Sequence, residues 1–400
     1  MQPNIATGNA INPGLETRES TRWGGVYALA LGAFALVASE FMPVSLLTNI
    51  AADLHVSEGQ AGQAIAVSGA FALLTSVSIS GFARKLDRKI LLLALTMLMI
   101  VSGSIAAFAP NYTVFMIGRA FIGVAIGGFW SLSAATAMRL VPSEQVPKAM
   151  AIVNSGNALA TVVAAPLGSF LGSVVGWRGA FFCLVPAAAL AFVWKMITLP
   201  AMPANTANGR SNVFSLLKSA PIALGMLAVS LFFMGQFALF TYLRPFLETV
   251  THASAMTTSL MLLTIGVAGC IGTMFIGALL RDSMYRILVT IPLAMAAIAI
   301  ALILFGGSTI LTAGLLALWG LLGTSAPVGW WSWLARSLPD DAEAGGGLMV
   351  AVVQLAIASG AAVGGILFDR AGYQATFGAS ALVLLVAAAL AMAAGRTARQ

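Results

Sequence analysis

Apolar residues run almost unbroken for about twenty positions at a time, and they do so twelve times along the chain. The stretches cover approximately residues 24–50, 60–83, 90–109, 114–138, 148–172 and 177–199, then 220–246, 256–280, 287–305, 309–335, 346–368 and 375–395. Each is bounded by charges, Pro, Asn or Gly, the residues that stop helices and start turns. A helix needs about 20 apolar residues to cross the hydrocarbon core, where every backbone polar group must be bonded within its own segment. The pattern predicts an all-α integral membrane protein with twelve transmembrane helices. The widest polar interruption, PAMPANTANGRSNVFSLLKSA at 200–219, reads as a linker. The expected organisation is a polar N-terminal tail at 1–22, a six-helix bundle at 23–199, a cytoplasmic linker at 200–219, and a second six-helix bundle with a short tail at 220–400. The tail has no apolar core segment and does not read as a signal peptide.

Composition narrows the class. Of 400 residues, 60% are hydrophobic and 8% charged, against roughly 25% charged in a soluble domain. A cytosolic enzyme, a disordered chain and a single-span receptor are all excluded. The net charge of +7 comes from 20 Lys+Arg against 13 Asp+Glu. These basic residues sit between the apolar runs rather than in one patch, so they point to membrane orientation and not to nucleic acid. With a cytoplasmic N-terminus, 16 of the 20 fall on the cytoplasmic side, Lys195, Arg84 and Lys85 among them; Arg119, Arg178, Arg244 and Arg370 are the other four. Both termini are therefore expected in the cytoplasm, as in an inner-membrane protein. Cys183 and Cys270 lie in apolar runs and read as packing residues. His55 and His252 have no metal-ligand spacing, and neither a phosphate loop nor a nucleophile–base pair is evident, so no metal, cofactor or enzymatic site is expected.

The two halves echo one another. Arg139-Leu-Val-Pro142 matches Arg336-Ser-Leu-Pro339, Gly168 matches Gly364, and Gly176-Trp-Arg-Gly-Ala-Phe181 parallels Gly372-Tyr-Gln-Ala-Thr-Phe377. With Ser39-Glu-Phe-Met-Pro-Val44 and Ile50-Ala-Ala-Asp-Leu54 in the first crossing, Asp87-Arg88 in the first hairpin and Arg119 to Gly123 in the fourth crossing, the chain resembles the major facilitator superfamily and its drug:proton antiporter-1 group. It also resembles the bacterial purine ribonucleoside efflux pumps, through GGFWSLSA at 127–134, APLGSFLG at 165–172, GQFALFTYLRP at 235–245 and PVGWWSW at 327–333. The hairpin departs from the superfamily pattern at Ala83 and in continuing Arg88-Lys-Ile-Leu91, and Ala165 stands before Pro166 where Gly is usual. The resemblance covers essentially the whole chain. It implies two pseudo-symmetric six-helix bundles, a monomer, and proton-driven antiport of a neutral purine nucleoside.

Charges inside the bundle are scarce, which makes them informative. Glu40 lies about 17 residues into the first crossing, where an acid is costly and marks an ion or proton path. Arg119 lies at comparable depth, either as its partner or as part of a structural pair. Arg119, Gly123, Gly127 and Trp130 recur at spacings of four, four and three, hence on one helix face. Asp87 and Arg88, with Arg139, are candidates for a cytoplasmic gate, Asp87 capping a neighbouring helix or pairing with Arg139. Arg244 is expected to snorkel to the outer interface, with an outer-gate role as the alternative. The uncharged candidates for cargo binding are Gln63, Asn154, Asn157, Gln236 and Gln354, with Trp130, Phe240 and Trp330 as aromatic faces. An organic-cation drug would favour more buried acids, and a sugar phosphate several buried bases. Neither pattern is present, which points to an uncharged cargo, and the resemblance implies a neutral purine ribonucleoside such as inosine or guanosine. The alternatives are a sugar, an uncharged drug, or a passive facilitator, which would not need Glu40.

Overall fold

The computed structural model describes residues 22–83, 86–203, 213–338 and 342–397. The expected tail at 1–21, Arg84, Lys85, most of the linker at 204–212, Pro339 with 340–341, and Arg399 within 398–400 lie outside the described residues.

Six helices precede residues 204–212: α1 (Trp23–Leu54), α2 (Glu58–Ala83), α3 (Arg88–Phe108), α4 (Tyr112–Leu140), α5 (Val146–Val174) and α6 (Gly176–Thr198). After them come α7 (Ala220–Phe240), the short α8 (Leu243–Thr249), α9 (Ala255–Phe305), α10 (Thr309–Ser337) and α11 (Ala342–Thr397). Helix α9 breaks at Ser283 and α11 at Gly372, so each supplies two crossings. At 1.5 Å per residue, the 53-residue span Gly345–Thr397 would be about 80 Å if straight, far beyond the roughly 30 Å of hydrocarbon. The break is obligatory, and Gly372 makes it with φ 76°, a conformation glycine adopts without steric cost. Twelve crossings result among the described residues. Both ends of the described chain lie at one end of the bundle, termed proximal; the His55 and His252 turns mark the distal end.

The halves repeat in three dimensions. Helices α4 and α10 are each 29 residues long, and their first residues are 197 apart (309 − 112). Asn111 and Ser308, at the same offset (308 − 111), cap them by accepting from Val114 N and Leu311 N. His55 and His252, again 252 − 55, both turn at φ 54°, and Gly176 at φ 73° answers Gly372. Packing repeats as well. Gly123 lies against the backbone of Ser68, and its counterpart Gly320 against that of Ile265. Gly127 meets Ala72, whereas in the second half the glycine has changed sides and Gly269 meets Thr324. Small residues at these crossings let backbones approach closely, which is how helices gain packing energy in lipid. The counterparts of Glu40 and Arg119 at this offset are Phe237 and Leu316. The buried acid and its neighbouring guanidinium belong to the first half alone.

The halves meet along α2 with α11 and α5 with α9. Three expectations need correction. Lys195 is not a loop anchor: it is 1% exposed, bonded to Thr96 Oγ1 at 2.9 Å, and lies 5.0 Å from the Phe129 ring centroid. Its amine fills the space that a side chain at Gly32 would take. Arg244 does not snorkel; it is 4% exposed. Cys183 and Cys270 are exposed on the bundle surface rather than packed inside it.

Candidate functional site

The centre of the bundle is organised by a proline. Pro43 has no backbone N–H, so the carbonyl of Ser39, four residues earlier in α1, loses its helical partner. Arg119 Nη1 donates to that carbonyl at 2.8 Å. The same guanidinium donates through Nη2 to Glu40 O at 3.0 Å and to Ser68 Oγ at 3.2 Å, and through Nε to Ala64 O at 3.2 Å. Ala64, Ser68 and Ala72 form one stripe of α2, faced by Arg119, Gly123 and Gly127 of α4. The expected glycine face is thus the seat of α4 on α2, and Arg119 lies on it, 1% exposed.

Arg119 spends its donors on oxygens of the backbone and of Ser68, not on the Glu40 carboxylate. Arg178 pairs with Asp53 and Arg244 with Glu248, both toward the distal end and away from Glu40. Glu40 is 4% exposed, so its carboxyl lies buried beside a positive charge without being clamped by it. The side chain facing that carboxyl is Gln354, from the other half of the molecule. Gln354 is 6% exposed and its Oε1 has no hydrogen-bond partner. Phe41, next to Glu40, stacks on Phe237 of α7 with centroids 5.5 Å apart and planes at 23°. Phe237 meets Phe240 edge-on. Gln236 Oε1 is likewise buried without a partner, and its Nε2 lies against Gly323 of α10. Glu40 and Gln354, with Phe41, Phe237 and Phe240 alongside, therefore form one central cluster drawn from both halves, and Gln236 precedes Phe237 on α7.

The remaining candidates differ in burial. Asn154 is exposed on α5, Asn157 is half-buried one turn on, and Trp130 is half-buried edge-on to Phe129. Trp330 is 2% exposed and packed among Phe232 and Trp333, inside the second half rather than on a cargo-facing surface. Gln63 bridges the halves, donating from Nε2 to Ala362 O at 3.3 Å.

Gln63 belongs to a closure at the distal end. Tyr242 is fully buried, donates to Ala361 O at 2.7 Å, stacks on Phe368, and fills the space left by Gly62 and Gly365. Arg244 donates to Ser45 O of α1 and to Glu248 Oε1. Ser57 and Gln60 form a capping box at the start of α2, each accepting from the other's backbone N–H at 3.0 Å. Asp369 of α11 completes it from the opposite half, accepting from Ser57 Oγ at 2.5 Å and Gly59 N at 2.9 Å. Sequence reading missed Asp369 and Tyr242, because a cap supplied by a residue some 300 positions away leaves no local signature.

At the proximal end, Asp87 caps its own helix through Lys89 N at 2.7 Å and accepts from Met202 N at 2.8 Å. Arg88 N donates to Met202 O at 3.0 Å, and Arg139 donates to Pro203 O at 3.3 Å. The three gate candidates gather on residues 202–203 within the first half. The acceptor bonds of Asp87 go to Lys89 N and Met202 N rather than to Arg139, in a conformation that is held together at its distal end.

Comparison with known proteins agrees with this architecture. A family model described as Major Facilitator Superfamily matches residues 29–360. A Pseudomonas aeruginosa protein named transcription regulatory protein OpdE is 62% identical over 383 residues, 95% of each chain. The purine ribonucleoside efflux pump NepI of Salmonella typhimurium is 39% identical over 366 residues, 92% of each chain. Among solved structures, a bacterial homolog of the human lysosomal transporter Spinster superposes with a TM-score of 0.73 at 15% identity, covering 93% of this chain and 97% of that one. A POT family transporter gives 0.74 at 13% identity, covering 94% and 96%.

Proposed function

Because the chain belongs to the major facilitator superfamily, and is a multi-pass membrane transporter and not an enzyme, we propose that it is a proton-coupled exporter of neutral purine ribonucleosides such as inosine and guanosine. The observation that carries this reading is the central cluster. One buried acid outside any ion pair lies beside Gln354, whose buried Oε1 lacks a donor, as does the buried Oε1 of Gln236 on α7. An unpartnered buried oxygen is costly and is satisfied when a ligand brings an N–H or O–H. Hypoxanthine and guanine supply a ring N–H, and ribose supplies hydroxyls. The flat purine stacks on an aromatic face for about 1–3 kcal/mol, tolerant of the base; Phe240 and Trp130 are the half-buried rings for that role. Asn154 and Asn157 serve the ribose. The 39% identity to a purine ribonucleoside efflux pump supports the same cargo.

The positive-inside bias supports a bacterial inner-membrane location with both termini in the cytoplasm. The distal closure then faces the periplasm, and cargo enters the central cluster from the proximal, cytoplasmic side. Glu40 takes a proton from the periplasmic side in the opposite conformer and delivers it inward. Asp87, Arg88 and Arg139 close the cytoplasmic end in that conformer. The superfamily resemblance supports a monomer. A second reading draws on the 62% identical relative, whose name concerns transcription. A transporter influences transcription by changing the cytoplasmic level of its cargo, so both readings share one site.

Labelled inosine uptake into everted vesicles with an acidic lumen tests the proposal. Uphill accumulation, competed by guanosine and not by free ribose, is expected. Competition by a plain sugar with indifference to purine nucleosides would replace this reading with sugar export, and uptake indifferent to the pH gradient would replace it with a passive facilitator.

A further inference from the structure

We propose that Gln354 is the specificity-determining residue through which proton and cargo sense each other: its amide turns over when Glu40 changes protonation state, reversing the hydrogen-bond polarity shown to the cargo. This deepens the transport reading above and rests on it.

The placement is enforced by backbone, not by a flexible reach. A Cβ at Gly69 of α2 would lie 3.0 Å from the Gln354 carbonyl oxygen, so α11 is seated directly on α2 there. The neighbouring Ser68 accepts from Arg119, and Arg119 holds the carbonyls of Ser39 and Glu40. Helices α1, α2, α4 and α11 thus bring an acid of one half and an amide of the other face to face. The charged group facing Glu40 is Arg119 from α4; α2 presents Ser68 and α11 presents Gln354, while Phe41 beside it packs on Phe237 of α7. Gln354 Oε1 is buried and unpartnered, on an amide that lies against the Glu40 carboxyl.

A carboxylate only accepts hydrogen bonds, whereas a carboxylic acid also donates one, and an amide carries both complements on one planar group. With Glu40 ionised, Gln354 Nε2 turns to the carboxylate and Oε1, unpartnered here, is left for the cargo. Together with Gln236 Oε1 it offers two acceptors, matched to the N–H edge of hypoxanthine or guanine and to ribose hydroxyls. When a proton arrives it forms an O–H bond on the Glu40 carboxyl and nothing else changes covalently. That O–H donates to Oε1, and the terminal amide rotates about a soft torsion. Nε2–H then points at the cargo, donor against donor, and the cargo leaves. Leaving a polar group unpaired in this way is the strongest means a site has to reject a ligand. The proton expels the cargo by inverting a hydrogen bond rather than by occupying its place.

The test uses purified full-length protein in nanodiscs. Inosine affinity in the wild type is expected to fall about tenfold from alkaline to acidic buffer, one hydrogen bond's worth. Gln354→Met, similar in length and apolar, is expected to flatten that dependence. It should also erase the preference for inosine over 1-methylinosine, which lacks the ring N–H. Gln354→Asn, an amide one methylene too short, should behave likewise and guards against misfolding of the Met variant. A cargo-independent arm is infrared difference spectroscopy on acidification. The carboxylic C=O band assigned by its loss in Glu40→Gln should move to higher frequency in both Gln354 variants. An unmoved band, or a Gln354→Met protein retaining the full pH dependence, overturns the proposal. A wild type that binds no inosine but shows the band shift removes the cargo reading while the Glu40–Gln354 switch stands.

Discussion

Replacing Glu40 with Gln tests the coupling at its source. The two side chains have the same number of heavy atoms, and the bonds Arg119 makes are to carbonyls and to Ser68, none of which the change removes. Glu40 makes no ion pair that the substitution would leave half-buried. The expected stability change is therefore within about 1 kcal/mol, the scale of one exchanged neutral hydrogen bond. What is lost is the ability to carry a proton. One proton moving inward at ~100 mV releases about 2.3 kcal/mol, and a pH difference of ~1 unit adds roughly 1.4. The total of about 3.7 kcal/mol would sustain a cargo gradient of a few hundredfold for one proton exchanged. In reconstituted vesicles carrying both gradients, the wild type should approach that ratio and Glu40→Gln should equilibrate near unity. Cargo–cargo exchange down a gradient should persist in the variant. If Glu40→Gln accumulates inosine as the wild type does, the proton travels elsewhere and the central argument fails.

Four further outcomes follow from particular contacts. Asp369→Ala removes the two bonds it makes to the start of α2 from the opposite half, so a Cys at position 63 in a background lacking Cys183 and Cys270 should react about fivefold faster with an impermeant thiol reagent in whole cells; an unchanged rate means Asp369 does not hold the distal end shut. Gly127→Val drives a side chain into the Ala72 backbone and should cost about 1–3 kcal/mol of stability, read as a lowered melting temperature, whereas Gly277→Ala, with nothing within 4 Å, should be neutral. Gln236→Leu removes a buried oxygen that has no partner within the protein, so melting should hold while inosine affinity falls about tenfold; parallel loss of both would make Gln236 structural. Reporters fused after Gln400 or inserted near Gly209 should read cytoplasmic and one near His252 periplasmic, and an external reading at 209 would break the six-plus-six arrangement.

Hydropathy alone located every crossing, because lipid offers no partner for a backbone N–H or C=O and each crossing must be a continuous apolar helix. Repeated strings such as Gly176 and Gly372 marked the duplication, and backbone torsion bore them out. Glu40 and Arg119 stood out because buried charges are rare. Even the link between them was written locally, in the four-residue step from Ser39 to Pro43 that frees a carbonyl.

Which way each helix turns was a different matter. In water the apolar face of a helix is the inward one, but here lipid and core are equally apolar. Phe275 at 65% exposed and Phe232 fully buried look alike to any hydropathy argument. So Lys195 and Arg244 read as interface anchors from their places near helix ends, and only the tertiary structure folds them inward onto Thr96 and Ser45. Trp330 read as a cargo face and is core. The same blindness hid the meeting of Glu40 with Gln354 and the capping of α2 by Asp369. Those are contacts between halves, set by the seating of Gly69 and Gly59 against α11. The sequence by itself determined how many times this chain crosses the membrane, where it turns and which charges are exceptional. The packing of one half on the other decided which side chains share a site, because side-chain neighbours across hundreds of residues depend on helix rotation, and helix rotation in lipid is set by shape rather than by polarity.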